Sequence, residues 1–153
     1  MKTRLQLTSD LCDSYHAIAV CSHIKDYKLS WSINQQLAFS FRRIENLKIF
    51  KARKCEQGFP MFVHEDDFLE LSYYLVKNNC GADVLFSNIG QVDYILFLHD
   101  CPGKPFAEKM VSKLKDLPNV LTAYLLDLTQ IKDAASLLEE MELHLIPHAS
   151  SKK

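Results

Sequence analysis

Phe59-Pro60-Met61-Phe62-Val63-His64 and Leu69-Glu70-Leu71-Ser72-Tyr73-Tyr74-Leu75-Val76 are separated by a short stretch containing the acidic triplet Glu65-Asp66-Asp67. Both runs are rich in residues that suit a pleated, half-buried surface. In the second, Leu69, Leu71, Tyr73 and Leu75 share one parity, against Glu70, Ser72 and Tyr74. That alternation describes a strand with one buried face. The short polar connection predicts an antiparallel pair. Upstream, Leu47 to Arg53 reads as another strand, joined through the glycine-containing turn Glu56-Gln57-Gly58. Downstream, Asn78-Asn79-Cys80-Gly81 is a turn signal, because Asn and Gly tolerate positive φ. Val92 to Leu98 is almost wholly apolar and reads as a central strand.

Outward from this meander, Tyr15 to Cys21 predicts a buried strand on the strength of Ile18 and Val20, and Val120 to Leu126 predicts another. Leu5 and Leu7 alternate with polar neighbours as a short strand would. Leu29, Ile33 and Leu37, with Tyr27 and Trp31, fall on one broad helical face from about Asp26 to Phe39. Asp26 is a candidate cap for that helix. Phe106, Met110 and Leu114 predict a second helix ending near Pro118. Ile131, Ala134, Ala135, Leu138 and Met141 predict a third, capped by Asp127 or Thr129. Segregated strand runs favour α+β over a doubly wound parallel sheet. The expected fold is a mainly antiparallel sheet of about five or six strands, with two or three helices packed on one face. Residues 1–149 read as a single domain and 150–153 as a disordered tail.

The chain has 153 residues, 48% hydrophobic and 24% charged, with a net charge of -1. A domain of this length buries roughly 70% of its unfolded surface without needing staples. Global charge points to neither nucleic acid nor a membrane surface. The five scattered cysteines, Cys12, Cys21, Cys55, Cys80 and Cys101, predict reduced thiols. With no secretory signal pattern and no apolar run of about 20 residues, the expectation is a cytoplasmic protein.

Motifs that carry chemistry are sparse. His144 and His148 are four apart, but Pro147 intervenes and no metalloprotease pattern surrounds them. His99-Asp100-Cys101 brings a thiol, an imidazole and a carboxylate together in sequence, although triads are assembled in space. The four glycines, Gly58, Gly81, Gly90 and Gly103, are too scattered for a phosphate-binding loop. Neither a cofactor nor a metal is expected. Local charge is uneven: Arg42, Arg43, Lys48, Lys51, Arg53 and Lys54 face a single acid, Glu45, so this segment carries +5 and the remainder -6. With Phe41 and Phe50 interleaved, it could hold single-stranded nucleic acid. Equally, it could be a solvated edge strand, where basic side chains discourage sheet-to-sheet aggregation.

Two stretches carry a likeness. Ser22-His23-Ile24-Lys25-Asp26-Tyr27-Lys28-Leu29-Ser30-Trp31, followed by Asn34, and Gln91-Val92-Asp93-Tyr94-Ile95-Leu96 together resemble the bacterial IPExxxVDY family. Phe86-Ser87-Asn88 stand where that family has Ile-Pro-Glu. The resemblance implies an early strand and helix before the motif strand, and it implies no reaction or cofactor. Physically, Asp93 reads either as a strand-end residue bonding backbone groups or as a binding group. Tyr27 and Trp31 read as core residues. Asn34 is either exposed or bonded to another element.

These readings favour a non-enzymatic protein-interaction domain, with a homodimer as one form it could take. The first alternative is a single-stranded nucleic-acid module using segment 42–54. The second is a small enzyme built on Cys101, His99 or Asp93. The candidate binding residues are Arg42, Arg43, Lys48, Lys51, Arg53, Asp93 and Tyr94. No catalytic or metal-ligating residue is assigned, and no membrane partner is expected.

Overall fold

The computed structural model describes residues 12–49, 57–80, 83–86, 89, 91–131 and 133–148. Its strands are β1 (Tyr15–Cys21), β2 (Arg42–Leu47), β3 (Phe59–Asp66), β4 (Leu71–Lys77), β5 (Tyr94–His99) and β6 (Thr122–Leu126). Its helices are α1 (Asp26–Leu37), α2 (Lys104–Lys115) and α3 (Ala134–Leu145). All six strands form one antiparallel sheet in the order β2-β3-β4-β5-β1-β6. The fold is α+β, as the strand runs imply.

Strand alternation divides the core in two. On one face, Ile18, Val20, Phe62, Tyr73, Leu75, Leu96 and Leu98 pack against Leu29 and Ile33 of α1 and Ala107, Met110 and Leu114 of α2. On the other, Tyr15, Ala17, Val63, Tyr74, Ile95 and Phe97 pack against Leu137, Leu138 and Met141 of α3. The helices therefore cover both faces, not one. The physical reason lies in β5, where Tyr94 to Leu98 are all buried, so a strand apolar on both sides needs cover on both. The same correction applies to β4, whose Tyr74 and Val76 are as buried as its Leu71, Tyr73 and Leu75.

Local details differ from expectation in instructive ways. β2 lies upstream of the Leu47–Arg53 run, whose last residues fall outside the described ones, as do Leu5, Leu7 and 150–153. It is held there by Asn34, whose amide donates to the Phe41 carbonyl (3.2 Å) and whose oxygen accepts from the Phe41 N–H (2.8 Å). Gly58 takes φ 82°, and a Cβ there would come within 2.8 Å of the Leu47 carbonyl oxygen, so the turn into β3 requires glycine. Asp26 is the first helical residue rather than the cap, which is Lys25, with no capping side-chain bond. Its carboxylate lies 3.3 Å from Arg43 instead, and a first-turn acid suits the helix dipole. Asp127 caps the short 3-10 turn Leu128–Gln130, not α3. Tyr27 and Trp31 are 55% and 65% exposed, on the outer side of α1. Four-residue spacing aligns them with one another but does not decide which stripe meets the sheet.

Among the described residues Asn78 is the one fully buried side-chain amide. It donates to the carbonyls of Ile89 and Val92 (3.0 Å each) and accepts from the Phe86 N–H (3.1 Å). It thus ties the β4–β5 connection to the sheet and satisfies that segment's backbone groups. Cys12, Cys21 and Cys101 are free, whereas Cys80 is disulfide-bonded. The expectation of uniformly reduced thiols fails at Cys80, because spacing along a chain does not say which cysteines meet in space.

Candidate functional site

Register places the candidate site. Tyr15 opens β1 directly opposite His99, the last residue of β5. Cross-strand partners on one face are close enough for rings to meet. The two rings stack at 4.3 Å with an interplanar angle of 13°. Tyr74 of β4 completes the floor, 6.5 Å from the Tyr15 ring and 6.4 Å from that of His99. α3 supplies the opposite wall. Its buried stripe of Leu138 and Met141 faces the sheet, which carries Glu142 over the Tyr15 hydroxyl. Tyr15 donates to Glu142 Oε2 at 3.0 Å.

The result is a cleft of about 570 Å³ lined by Tyr15, Tyr74, His99, Glu139, Glu142, Leu143, Leu145 and Ile146. Leu143 and Ile146 stand on its rim, each 67% exposed. His99 Nε2 lies 3.8 Å from Glu142 and 3.7 Å from Asp100, within ion-pair distance once the ring is protonated. Burial, reinforced by the Glu142 charge, pushes the Tyr15 hydroxyl well above its ordinary range, so it stays a donor. Burial raises Tyr74 as well. An apolar cleft with a few convergent polar groups has the form of a binding site, and its lining holds no serine, threonine, cysteine or lysine.

Residues singled out from the sequence lie elsewhere. Arg42 is 3.9 Å from Glu65. Arg43 meets Asp26, donates to Asn46 Oδ1 at 2.7 Å and sits 5.5 Å over the Phe62 ring. Both guanidinium groups on this outer strand thus have a carboxylate beside them, which weakens their pull on phosphate. Lys48 is exposed beyond the end of β2, and Lys51 and Arg53 lie outside the described residues. Asp93 accepts from the Ser22 N–H at 2.8 Å, and the buried Tyr94 hydroxyl donates to the Ile24 carbonyl at 2.7 Å. Together they clamp the β1–α1 connection onto β5.

His99, Asp100 and Cys101 do not converge as a triad. His99 belongs to the α3 side of the sheet, while Cys101 packs on the α1/α2 side. There Cys101 Sγ is 3.3 Å from Nδ1 of His16, a β1 residue. His144 Nε2 is committed to the Glu45 carbonyl at 2.9 Å. Among the described residues no group of three His, Cys, Asp or Glu could hold a metal.

Sequence reading missed Tyr15, His16, Tyr74 and Glu142 as functional candidates. Tyr15 and Tyr74 sat in strands assigned to packing, and Glu142 sat among helix-surface acids. No protein-family model, curated protein or solved structure matches the chain. The cleft's chemistry therefore stands on its own geometry.

Proposed function

We propose that this is a non-enzymatic protein-interaction domain and that the α3 cleft receives a side chain of its partner. The observation that supports this is the open rim of Leu143 and Ile146 above a buried floor of Tyr15, Tyr74 and His99. Exposed apolar side chains around a pre-formed pocket are what a protein interface uses to exclude water from an anchor residue. A phage-displayed random peptide library panned on the protein should enrich binders that lose affinity for the double variant Leu143→Asp/Ile146→Asp. If nothing is enriched, or the selected peptides bind that variant equally well, the cleft is not the recognition surface.

A cytoplasmic setting belongs to the same proposal. It is supported by three free thiols and opposed by the disulfide at Cys80. Among the described residues no helix is long and apolar enough to cross a membrane. The likeness to the IPExxxVDY family also remains part of this reading, with Asp93 and Tyr94 as structural clamps rather than ligand contacts.

The 3.3 Å contact between Cys101 and His16 supports a second reading, a reactive thiol of the kind a small enzyme uses. Alkylation by iodoacetamide should then modify Cys101 ahead of Cys12 and Cys21. His16→Gln should slow it. Equal rates at all three cysteines would remove this reading.

A further inference from the structure

Resting on the cleft as the recognition site, we infer that its occupant is a lysine side chain of the partner, its ammonium held by Glu142 and Glu139 against the Tyr15 and Tyr74 rings. The lining contains two glutamates, with Asp100 3.7 Å from His99, and no lysine or arginine. A carboxylate-bearing ligand would meet like charge. A purely apolar one would strip water from Glu139 and from the Glu142 oxygen that Tyr15 does not occupy, and desolvating a carboxylate oxygen without a new partner is costly. A cation answers both objections, and aromatic faces attract cations in addition.

The geometry also distinguishes ammonium from guanidinium. Glu142 Oε2 already accepts the Tyr15 hydroxyl, so the carboxylate is fixed in place and offers a ligand its other oxygen. One oxygen suits the compact point charge of an ammonium. A guanidinium gains most from two parallel bonds to one carboxylate. Leu143, Leu145 and Ile146 then provide an apolar wall for the stem. Long cationic side chains bury their methylenes along such surfaces while the head finds polar partners.

The test compares three six-carbon probes, n-hexylammonium, n-hexanol and hexanoate, titrated separately and followed by the NMR signals of Tyr15, Tyr74 and His99. Hexylammonium should bind about tenfold more tightly than hexanol, the scale of a partly desolvated cation–π contact with an ion pair. Hexanoate should not bind. Glu139→Gln, at an exposed position, and Glu142→Gln, which keeps an acceptor for Tyr15, should each reduce the preference for hexylammonium. If hexanol and hexylammonium bind alike at the cleft, the cation inference is overturned while the interaction reading survives. If hexanoate binds most tightly, the inference is overturned as well. If no probe shifts these signals while the peptide selection also yields nothing, both fall together.

Discussion

His64 and His99 occupy comparable positions on opposite sides of the sheet. Each lies at or near a strand end and stacks on a tyrosine of the neighbouring strand, His64 on Tyr73 and His99 on Tyr15. Their surroundings then diverge. Phe39 stacks on His64 at 4.4 Å, and the Ser40 N–H donates to its Nδ1 at 3.1 Å. That bond requires an unprotonated Nδ1 and fixes the tautomer. Burial lowers the His64 pKa below its ordinary value, although Asp66, Glu65 and Asp67 pull the other way. His99 instead faces carboxylates across an open cleft. The same stacked pair thus closes one side of the protein and leaves a site on the other. What decides is whether the loop beyond the ring covers it, as 38–41 does for His64, or a helix stands off, as α3 does for His99.

The comparison can be broken most forcefully at the tyrosines. Both Tyr73 and Tyr15 are nearly fully buried, so Tyr73→Ala and Tyr15→Ala should each cost about 3–5 kcal/mol in urea unfolding. A near-neutral result at either would show that the two stacks are not equivalent. Next come the histidines. His64→Ala removes the partner of a backbone N–H and should cost about 1–2 kcal/mol. His99→Ala should cost clearly less, because its ring borders the cleft; equal losses would erase the distinction between closed and open sides. Tyr15→Phe deletes only the hydroxyl bonded to Glu142 and should cost about 1 kcal/mol, with the cleft still formed.

The smallest effect is in pH. A histidine whose folded pKa is depressed leaves the native state with fewer bound protons than the unfolded chain, so stability rises with pH. The His64 contribution is therefore full above 6.5 and is lost as pH falls through the lower folded value. Urea midpoints measured from pH 7.5 downward should fall more in the wild type than in His64→Gln. Parallel curves would mean that His64 is not protected from protonation.

Much of the frame was legible because single residues carry backbone information. Ile18 and Val20 marked β1, the unbroken apolar run marked β5, and Met110 with Leu114 marked α2. The two-sided cover was legible too, in that same β5 run, but the alternation of Leu69 to Leu75 pointed towards one buried face. The site was not legible. Tyr15, His99 and Glu142 are far apart in the chain and meet only because β1 inserts beside β5 and α3 returns over both. Sequence adjacency suggested His99 for Cys101, and residues two apart on a strand would share a face, but β5 ends at His99 and Asp100 turns the chain at φ 64°, so the thiol meets His16 instead.

The slot of β1 between β5 and β6 has a consequence for synthesis. The first described strand to leave a ribosome pairs only with the last two, while β2, β3 and β4 can each pair with the next strand as it emerges. At roughly 5–20 residues per second, the apolar segment Tyr15–Cys21 waits several seconds for β5 and longer for β6. Closing that long-range pairing is also the entropically slow step of the topology. During that interval the nascent chain displays a sticky strand without its mates, so β1 is where a cotranslational chaperone would be expected to bind.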